Sequence, residues 1–241
     1  MSNDDEAHLT PQLKEHYEKE AEILGMLMDM EKRYCDFYQF YQCELETQKI
    51  ITERLWLLTQ RYLILISSAP GCRYPEVYTL SAEESIINEY EEKFEVMRSS
   101  NNSMKHGILN IHLECKKFYK AYDQLDRSLE TPFILGDKYH RSIESHKLMM
   151  IDIFNYYYAA VLKMKCYLHQ LDPMSLESVE DYRELLKEDS SNEEFAELVM
   201  STFVYCKCLQ PAPTCPIKKL KCSHKKIEDL TYTAAPLPLP L

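Results

Sequence analysis

Residues 24–65 read LGMLMDMEKRYCDFYQFYQCELETQKIITERLWLLTQRYLIL. Their apolar side chains recur after alternating steps of three and four residues, the heptad pattern of a helix that packs along one face. No glycine or proline interrupts residues 26–69. The pattern predicts a helix of about 55 residues, roughly 80 Å long at 1.5 Å per residue. Its predicted interaction seam is Leu24, Leu27, Met30, Tyr34, Phe37, Tyr41, Leu45, Leu55, Leu58 and Tyr62.

Aromatic side chains surround part of this predicted helix. Phe37, Tyr38, Phe40 and Tyr41 together cover more than half of its circumference, because successive residues are about 100° apart. A two-stranded coiled coil buries only a narrow stripe, so a helix of this kind must contact two or more neighbours. The pattern therefore favours a bundle over an isolated rod.

Three further regions carry helical periodicity: residues 81–130, 137–172 and, less regularly, 176–209. Residues 99–107 are rich in weak helix formers and end in glycine, which predicts a hinge or short loop. Such a break would leave apolar positions near one end of the first helix, either 24–30 or 58–65, without cover.

The composition agrees with a helical protein. The chain has only 4 glycines in 241 residues, whereas average usage is about 7%, and strand-rich folds need glycine in their tight turns. The predicted fold is all-α: an elongated bundle of three to four long antiparallel helices with coiled-coil character. Residues 1–10 are expected to be disordered, 11–209 to form the bundle, and 210–241 to form a flexible tail rich in proline, lysine and cysteine.

The C-terminal region contains the strongest candidate for a metal site. Four cysteines and a histidine within 19 residues are soft ligands that suit a tetrahedral zinc ion. The paired ligands are separated by one residue, whereas two is the usual gap, so a tail with unbound thiols is the alternative. Zinc is the only candidate cofactor, and its candidate ligands are Cys206, Cys208, Cys215, Cys222 and His224.

The same region carries the chain's basic cluster, which consists of Lys218, Lys219, Lys221, Lys225 and Lys226. Such a cluster can bind an acidic partner or nucleic acid. No aromatic residue lies between Cys208 and Leu230, so stacking on bases is not supported. The net charge of −11 also argues against a general attraction to nucleic acid or to anionic membranes.

Known catalytic motifs are absent from the sequence. There is no Glu-x-x-His pair of the di-iron type, no HExxH, no GxSxG and no glycine-rich phosphate loop. The sequence therefore predicts a non-catalytic scaffold or adaptor subunit that assembles with other helical or coiled-coil chains, as in cytoskeletal, spindle or chromosome-associated complexes. The alternative is a zinc- or nucleic-acid-binding protein that acts through its Cys/Lys tail.

The expected compartment follows from the cysteines and from the N-terminus. Residues 1–6 are polar and acidic, unlike a secretory signal, and no apolar stretch approaches the roughly 20 residues of a membrane helix. Nine cysteines without such a signal favour a reducing compartment. We therefore expect a protein of the cytoplasm or nucleus that is neither secreted nor bound to a membrane.

Overall fold

The computed structural model describes residues 11–67, 76–136 and 141–187. Helices account for 88% of these residues and no strand occurs among them, so the predicted all-α fold is confirmed for this part of the chain. The predictions for 1–10 and for 188–241 fall outside the described residues. The helices are α1 (Pro11–Ser67), α2 (Glu76–Asp123), α3 (Pro132–Leu135), α4 (Ile143–Leu168) and α5 (Leu176–Leu185). None of these helices has an apolar stretch long enough to cross a bilayer.

The chain divides into two compact units. Among the described residues, the first unit contains 11–34 and 111–154, and the second contains 35–110 and 155–187. Each unit is built from one segment of α1, one of α2 and one of α4. The short helix α3 belongs to the first unit, and α5 belongs to the second.

In the first unit, Tyr34 joins the three long helices. Its ring is 1% exposed, and its hydroxyl donates a hydrogen bond to the carbonyl oxygen of Met150 on α4 at 3.0 Å. The same hydroxyl lies 3.7 Å from the Cys115 sulfur on α2. A buried tyrosine hydroxyl needs a hydrogen-bond partner, so this bond favours one position of α1 relative to α4. This unit is therefore held by specific polar contacts as well as by apolar packing.

In the second unit, α1 and α2 run antiparallel. The Tyr62 hydroxyl donates to Glu83 at 3.1 Å, and Gln48 Nε2 donates to Ser100 Oγ at 3.0 Å. As residue numbers fall along α1, those of the contacting residues rise along α2. The antiparallel arrangement expected from the sequence is thus present in this unit.

The predicted hinge at 99–107 is wrong, because α2 is continuous from Glu76 to Asp123. Within this segment Ser100 and Asn101 are 6% and 3% exposed, and Met104 is fully buried. The helix propensity of Ser100 and Asn101 is weak, but burial against tertiary partners outweighs it. Of the polar residues that suggested a loop, Ser100 and Asn101 face the core, whereas Ser99, Asn102 and Ser103 are exposed on the same continuous helix.

Asn101 shows how the core accepts such a residue. With its amide in the orientation that satisfies both groups, Nδ2 donates to the Val161 carbonyl at 3.2 Å and Oδ1 accepts from the Lys165 amide at 3.0 Å. Both partners belong to the backbone of α4. Since a buried amide costs free energy unless it is paired, these two bonds explain why asparagine is tolerated inside the bundle.

Gly107 is a packing position and not a hinge. A methyl group added there would lie 3.0 Å from Cε2 and 3.1 Å from Cδ2 of Phe37. The missing side chain lets the Phe37 ring lie against the backbone of α2. Glycine in this helix interior therefore serves close helix packing.

The expectation that one end of α1 lacks cover is also wrong for the stripe positions Leu24, Leu27 and Leu58, although Ile64 on another face is 68% exposed. Leu24 and Leu27 are 1% and 2% exposed at one end, and Leu58 is fully buried towards the other. The expectation depended on a broken second helix. Because α2 is continuous, its side chains can cover α1 without an interruption at residues 99–107.

Candidate functional site

All residues of the predicted interaction seam except Leu45 are buried within the chain. Leu24, Leu27, Met30 and Tyr34 pack in the first unit, and the others pack in the second. Phe37, for example, meets the Tyr157 ring edge-to-face with 5.2 Å between centroids. The side chains of this stripe therefore form intramolecular core, and a surface for other proteins has to be sought elsewhere on the fold.

Leu45 is half-buried because it borders a cavity of about 250 Å³ in the second unit. The cavity is mostly apolar and is lined by Tyr41, Leu45, Tyr156, Ala159, Ala160, Lys163, Met164, Leu185 and Leu186. Pockets for drug-sized ligands occupy about 300–1,000 Å³. The cavity is small for such a ligand, and its borders on α4 are exposed at Ala159 and Lys163. The cavity is therefore a shallow groove left between packed helices.

A buried acidic group lies in the first unit. Glu20 is 0% exposed, and its Oε1 accepts a hydrogen bond from the Thr131 hydroxyl and lies 3.1 Å from His16 Nε2. Thr131 also caps α3, since its side chain accepts from the Ile134 amide. The cluster is buried, and the bond between Glu20 and Thr131 joins α1 to the N-cap of α3 within the first unit. The cluster therefore helps to position α3 against α1.

A cluster of buried sulfur atoms in the same unit is expected to be unreactive. The Cys115 sulfur is 0% exposed and lies 3.7 Å from the Met30 sulfur and 3.7 Å from the Tyr34 hydroxyl. Burial raises the pKa of the Cys115 thiol, and burial also raises the pKa of Tyr34. Both groups therefore stay protonated near neutral pH, and a protonated, enclosed thiol is a poor nucleophile.

The predicted metal and basic sites cannot be placed in the structure. Cys206, Cys208, Cys215, Cys222 and His224 lie outside the described residues, and so does the whole lysine cluster from Lys218 to Lys226. Within the ranges that are described, no three His, Cys, Asp or Glu side chains come together as a ligand set.

Among the exposed apolar side chains of the described residues, those on α1 form a regular row. Ile50, Leu57 and Ile64 are 65%, 45% and 68% exposed, and Cys43 is exposed as well. These four residues, here called the outer row, are each seven positions apart. Seven residues are almost two helical turns, so the row lies along one face of the helix. That face is separate from the buried residues Ile51, Leu55, Leu58 and Tyr62.

Charged residues flank the outer row asymmetrically. Glu46 and Glu53 lie three residues after one row position and four before the next, which puts them on one side. Arg54 and Arg61 lie four after and three before, which puts them on the other side. Lys49 lies on the same side as Glu46 and Glu53, and it pairs with Glu46 at 3.9 Å.

Ion pairs hold two of these charges against neighbouring helices. Glu53 pairs with Arg183 of α5 at 2.8 Å, and Arg54 pairs with Glu89 of α2 at 2.5 Å. The hydrogen bond from Arg54 lowers the pKa of the Glu89 carboxyl, so the pair stays ionised at neutral pH. The pairs leave the row itself open, since Leu57 between them is 45% exposed.

Sequence reasoning missed the outer row. Its signal, the seven-residue spacing of Ile50, Leu57 and Ile64, is present in the segment quoted above. The signal was hidden because the same helix carries a longer and stronger apolar stripe on its other face.

Comparisons with protein-family models, with curated proteins and with solved structures find no match to this chain.

Proposed function

We propose that this chain is a non-catalytic helical scaffold or adaptor subunit that binds another helical chain through a coiled-coil contact. The outer row of α1 is the observation that supports the proposal. Single exposed apolar residues are ordinary on protein surfaces. Ile50, Leu57 and Ile64 differ because they recur every seven residues and so form a continuous exposed strip along one face, which supplies one of the two apolar positions per heptad that a coiled-coil contact uses.

The placement of the row also suits this role. It lies in the C-terminal half of α1, a helix of 57 residues, and the other face of that half is packed into the second unit. A rigid helix presents its side chains in a fixed geometry, which is what a helical partner requires. We further propose a cytoplasmic or nuclear complex as its setting, because Cys43 and Cys166 are exposed thiols that form no disulfide, as is usual where thiols are kept reduced.

The test compares two triple variants of the full chain. The first is Ile50→Gln, Leu57→Gln and Ile64→Gln, which removes the apolar row without adding charge and keeps good helix formers. The matched control places glutamine at three other exposed apolar helix positions: Val96→Gln, Leu113→Gln and Leu148→Gln. Both variants should keep the wild-type circular dichroism spectrum, since each changes only solvent-facing side chains.

Affinity-tagged wild-type chain should recover a stoichiometric protein with heptad-repeat helices, or a second copy of itself, from its native cell type. The outer-row variant should lose that protein and the control variant should keep it. Equal recovery by both variants, or no stoichiometric partner for the wild type under native conditions, would contradict the proposal.

A further inference from the structure

We infer that residues 192–203 of this chain pack as a helix in the groove bordered by Leu45, following α5 along the chain. Residues 192–203 lie outside the described residues, whereas the groove is lined by described ones. This contact goes beyond the proposed function, because it uses another side of α1 than the outer row does. Leu45 follows Cys43 of the row by two positions, which is about 200° round the helix.

The course of α5 brings the chain to this groove. Near the middle of α5, Glu180 accepts a hydrogen bond from the Trp56 ring nitrogen at 3.4 Å. At its end, Leu185 and Leu186 line the groove together with Leu45. Residue numbers thus fall along α1 as they rise along α5, so the two helices run antiparallel. The described part of the chain ends one position after Leu186, and the next segment therefore starts beside the groove.

The sequence of residues 192–203 has the periodicity of a helix with one apolar face. That face consists of Phe195, Leu198, Val199 and Phe203. At 100° per residue these four positions lie within about 140° of one another, the width of a stripe that packs on neighbouring helices. Glu193 and Glu197 fall on the opposite side. The segment therefore offers the kind of helix that an apolar groove accepts.

Charge favours the same occupant. Lys163 is the one charged side chain among the described residues that line the groove. Residues 188–197 contain five acidic side chains and no basic one. Within them Glu194 falls beside Leu198, at the edge of the apolar face, where a carboxylate can lie near a lysine on the rim.

Packing of the segment would also set the point from which the Cys/Lys tail begins. Phe203 is three residues before Cys206, the first of the candidate zinc ligands. A helix held through Phe203 leaves those ligands and the lysine cluster on a chain that starts from a fixed position on the fold. The groove is smaller than a pocket for a drug-sized ligand, but its apolar lining suits side chains of a helix laid along it.

The experiment measures whether the groove is covered in the full-length chain. The buried Cys115 is kept, the other eight cysteines are replaced by serine, and Ala160→Cys puts one thiol in the groove. The rate of maleimide labelling then reports how accessible that thiol is. In a reference chain the exposed Cys166 on the same helix is kept and Ala160 is unchanged. Cys115 should stay unlabelled throughout, which shows that the fold is intact.

Two sets of changes in the segment are compared. Phe195→Gln, Leu198→Gln and Phe203→Gln remove the apolar face, whereas Glu193→Gln and Glu197→Gln alter only the opposite side and serve as the matched control. Labelling of the groove thiol should become roughly 10–100 times faster with the first set, because a surface segment opens at a modest free-energy cost, and should not change with the second. The thiol of Cys166 should label at one rate in every background.

Hydrogen exchange of the wild-type chain gives a measurement that needs no variant, since the amides of residues 195–203 should be protected if they form a packed helix. Unprotected amides there, or a groove thiol that labels as fast as Cys166 in the chain with an unchanged segment, would overturn the inference. Slow labelling that the apolar-face changes do not relieve would show that something else covers the groove. Protection that rises with chain concentration from about 1 to 100 μM would assign the groove to a second copy and also overturn it.

Discussion

Gln48 and Ser100, 52 residues apart, meet through a hydrogen bond of 3.0 Å from the Gln48 amide nitrogen to the Ser100 hydroxyl. The Tyr182 hydroxyl donates to the other end of the same amide, so Gln48 is bonded to both α2 and α5. Gln48 and Tyr182 are 0% exposed. Buried polar groups that satisfy each other select one relative position of their helices, since a shift would leave each of them unpaired.

Gln48→Leu should destabilise the protein although leucine is apolar and of similar size. The change leaves Ser100 and Tyr182 without their partner, at a cost of about 1–3 kcal/mol for each buried group. Urea denaturation measures the free energy of unfolding. Adding Ser100→Ala and Tyr182→Phe to Gln48→Leu should recover much of the loss, because the orphaned groups are then gone. A triple variant that is less stable than Gln48→Leu would refute this account.

Asn101→Ala and the neighbouring Asn102→Ala should have opposite effects. Asn101 is buried and bonded to the backbone of α4, so its loss should cost about 1–3 kcal/mol. Asn102 is exposed, and alanine is the better helix former, so Asn102→Ala should leave stability unchanged or raise it by about 0.5 kcal/mol. Thermal or urea unfolding of the two variants side by side gives the comparison. Similar effects at both sites would mean that Asn101 contributes nothing through its bonds.

Gly25→Ala and Gly107→Ala form a second matched pair. At Gly25 an added methyl meets no atom of the described residues within 4 Å, so improved helix propensity should stabilise by about 0.5–1 kcal/mol. At Gly107 the methyl would press on the Phe37 ring at 3.0 Å, and overpacking typically costs about 1–3 kcal/mol. Melting temperatures should therefore move in opposite directions. A stabilised Gly107→Ala would show that the ring yields easily.

Phe37→Ala should be among the most damaging single changes in the second unit. The ring is 5% exposed and packs edge-to-face on Tyr157, so its removal should cost about 3–5 kcal/mol. Phe40→Ala, three residues along, removes a ring that is 36% exposed and should cost clearly less. Denaturant midpoints of the two variants provide the measurement, and equal losses would contradict the packing described.

Stability should fall in alkali because buried tyrosines must stay protonated in the fold. Burial raises the pKa of Tyr34, Tyr90 and Tyr182 above the ordinary value of about 10. A folded-state pKa above the unfolded one gives stability that is complete below about pH 10 and is lost as pH rises further. Each such tyrosine should lower the free energy of unfolding by up to about 1.4 kcal/mol per pH unit in that range.

Tyr90→Phe is the cleanest probe of this effect. The Tyr90 hydroxyl is buried and has no hydrogen-bond partner among the described residues, so the change should cost nothing at pH 7. Above pH 10 the variant should lose less stability than the wild type. Urea titrations at pH 7, 9 and 11 measure both effects, and identical pH profiles for wild type and variant would refute the prediction.

Much of the helical architecture could be read from the sequence because helix periodicity is a local property. The apolar steps of three and four residues between Leu24 and Leu65 predicted a single long helix, and the aromatic residues from Phe37 to Tyr41 predicted neighbours on more than one side. Phe37 indeed contacts both Tyr157 of α4 and the backbone at Gly107 of α2. These features depend on spacing along the chain alone.

Only the tertiary structure shows whether the polar and small residues inside those helices interrupt a helix or pack in its core. Ser100 and Asn101 looked like a break because their propensity is weak, but bonds to Gln48 and to the α4 backbone keep them helical. Gly107 looked like a hinge until the Phe37 ring was found in the space of its missing side chain. Leu45 fits the stripe by spacing, yet it borders a cavity because α4 and α5 do not close over it.

The outer row is a second feature whose spacing is visible in the sequence but whose exposure is not. Its seven-residue spacing is written in the sequence, but periodicity cannot say which of two apolar faces of a helix will be buried. That choice is made by the neighbouring helices, which cover Leu55 and Leu58 completely and leave Ile50, Leu57 and Ile64 in solvent. Sequence spacing thus predicted α1 and most of the other helices, except for the continuity of α2 through residues 99–107. Contacts between residues far apart in the chain determined which face is core and which is available to a partner.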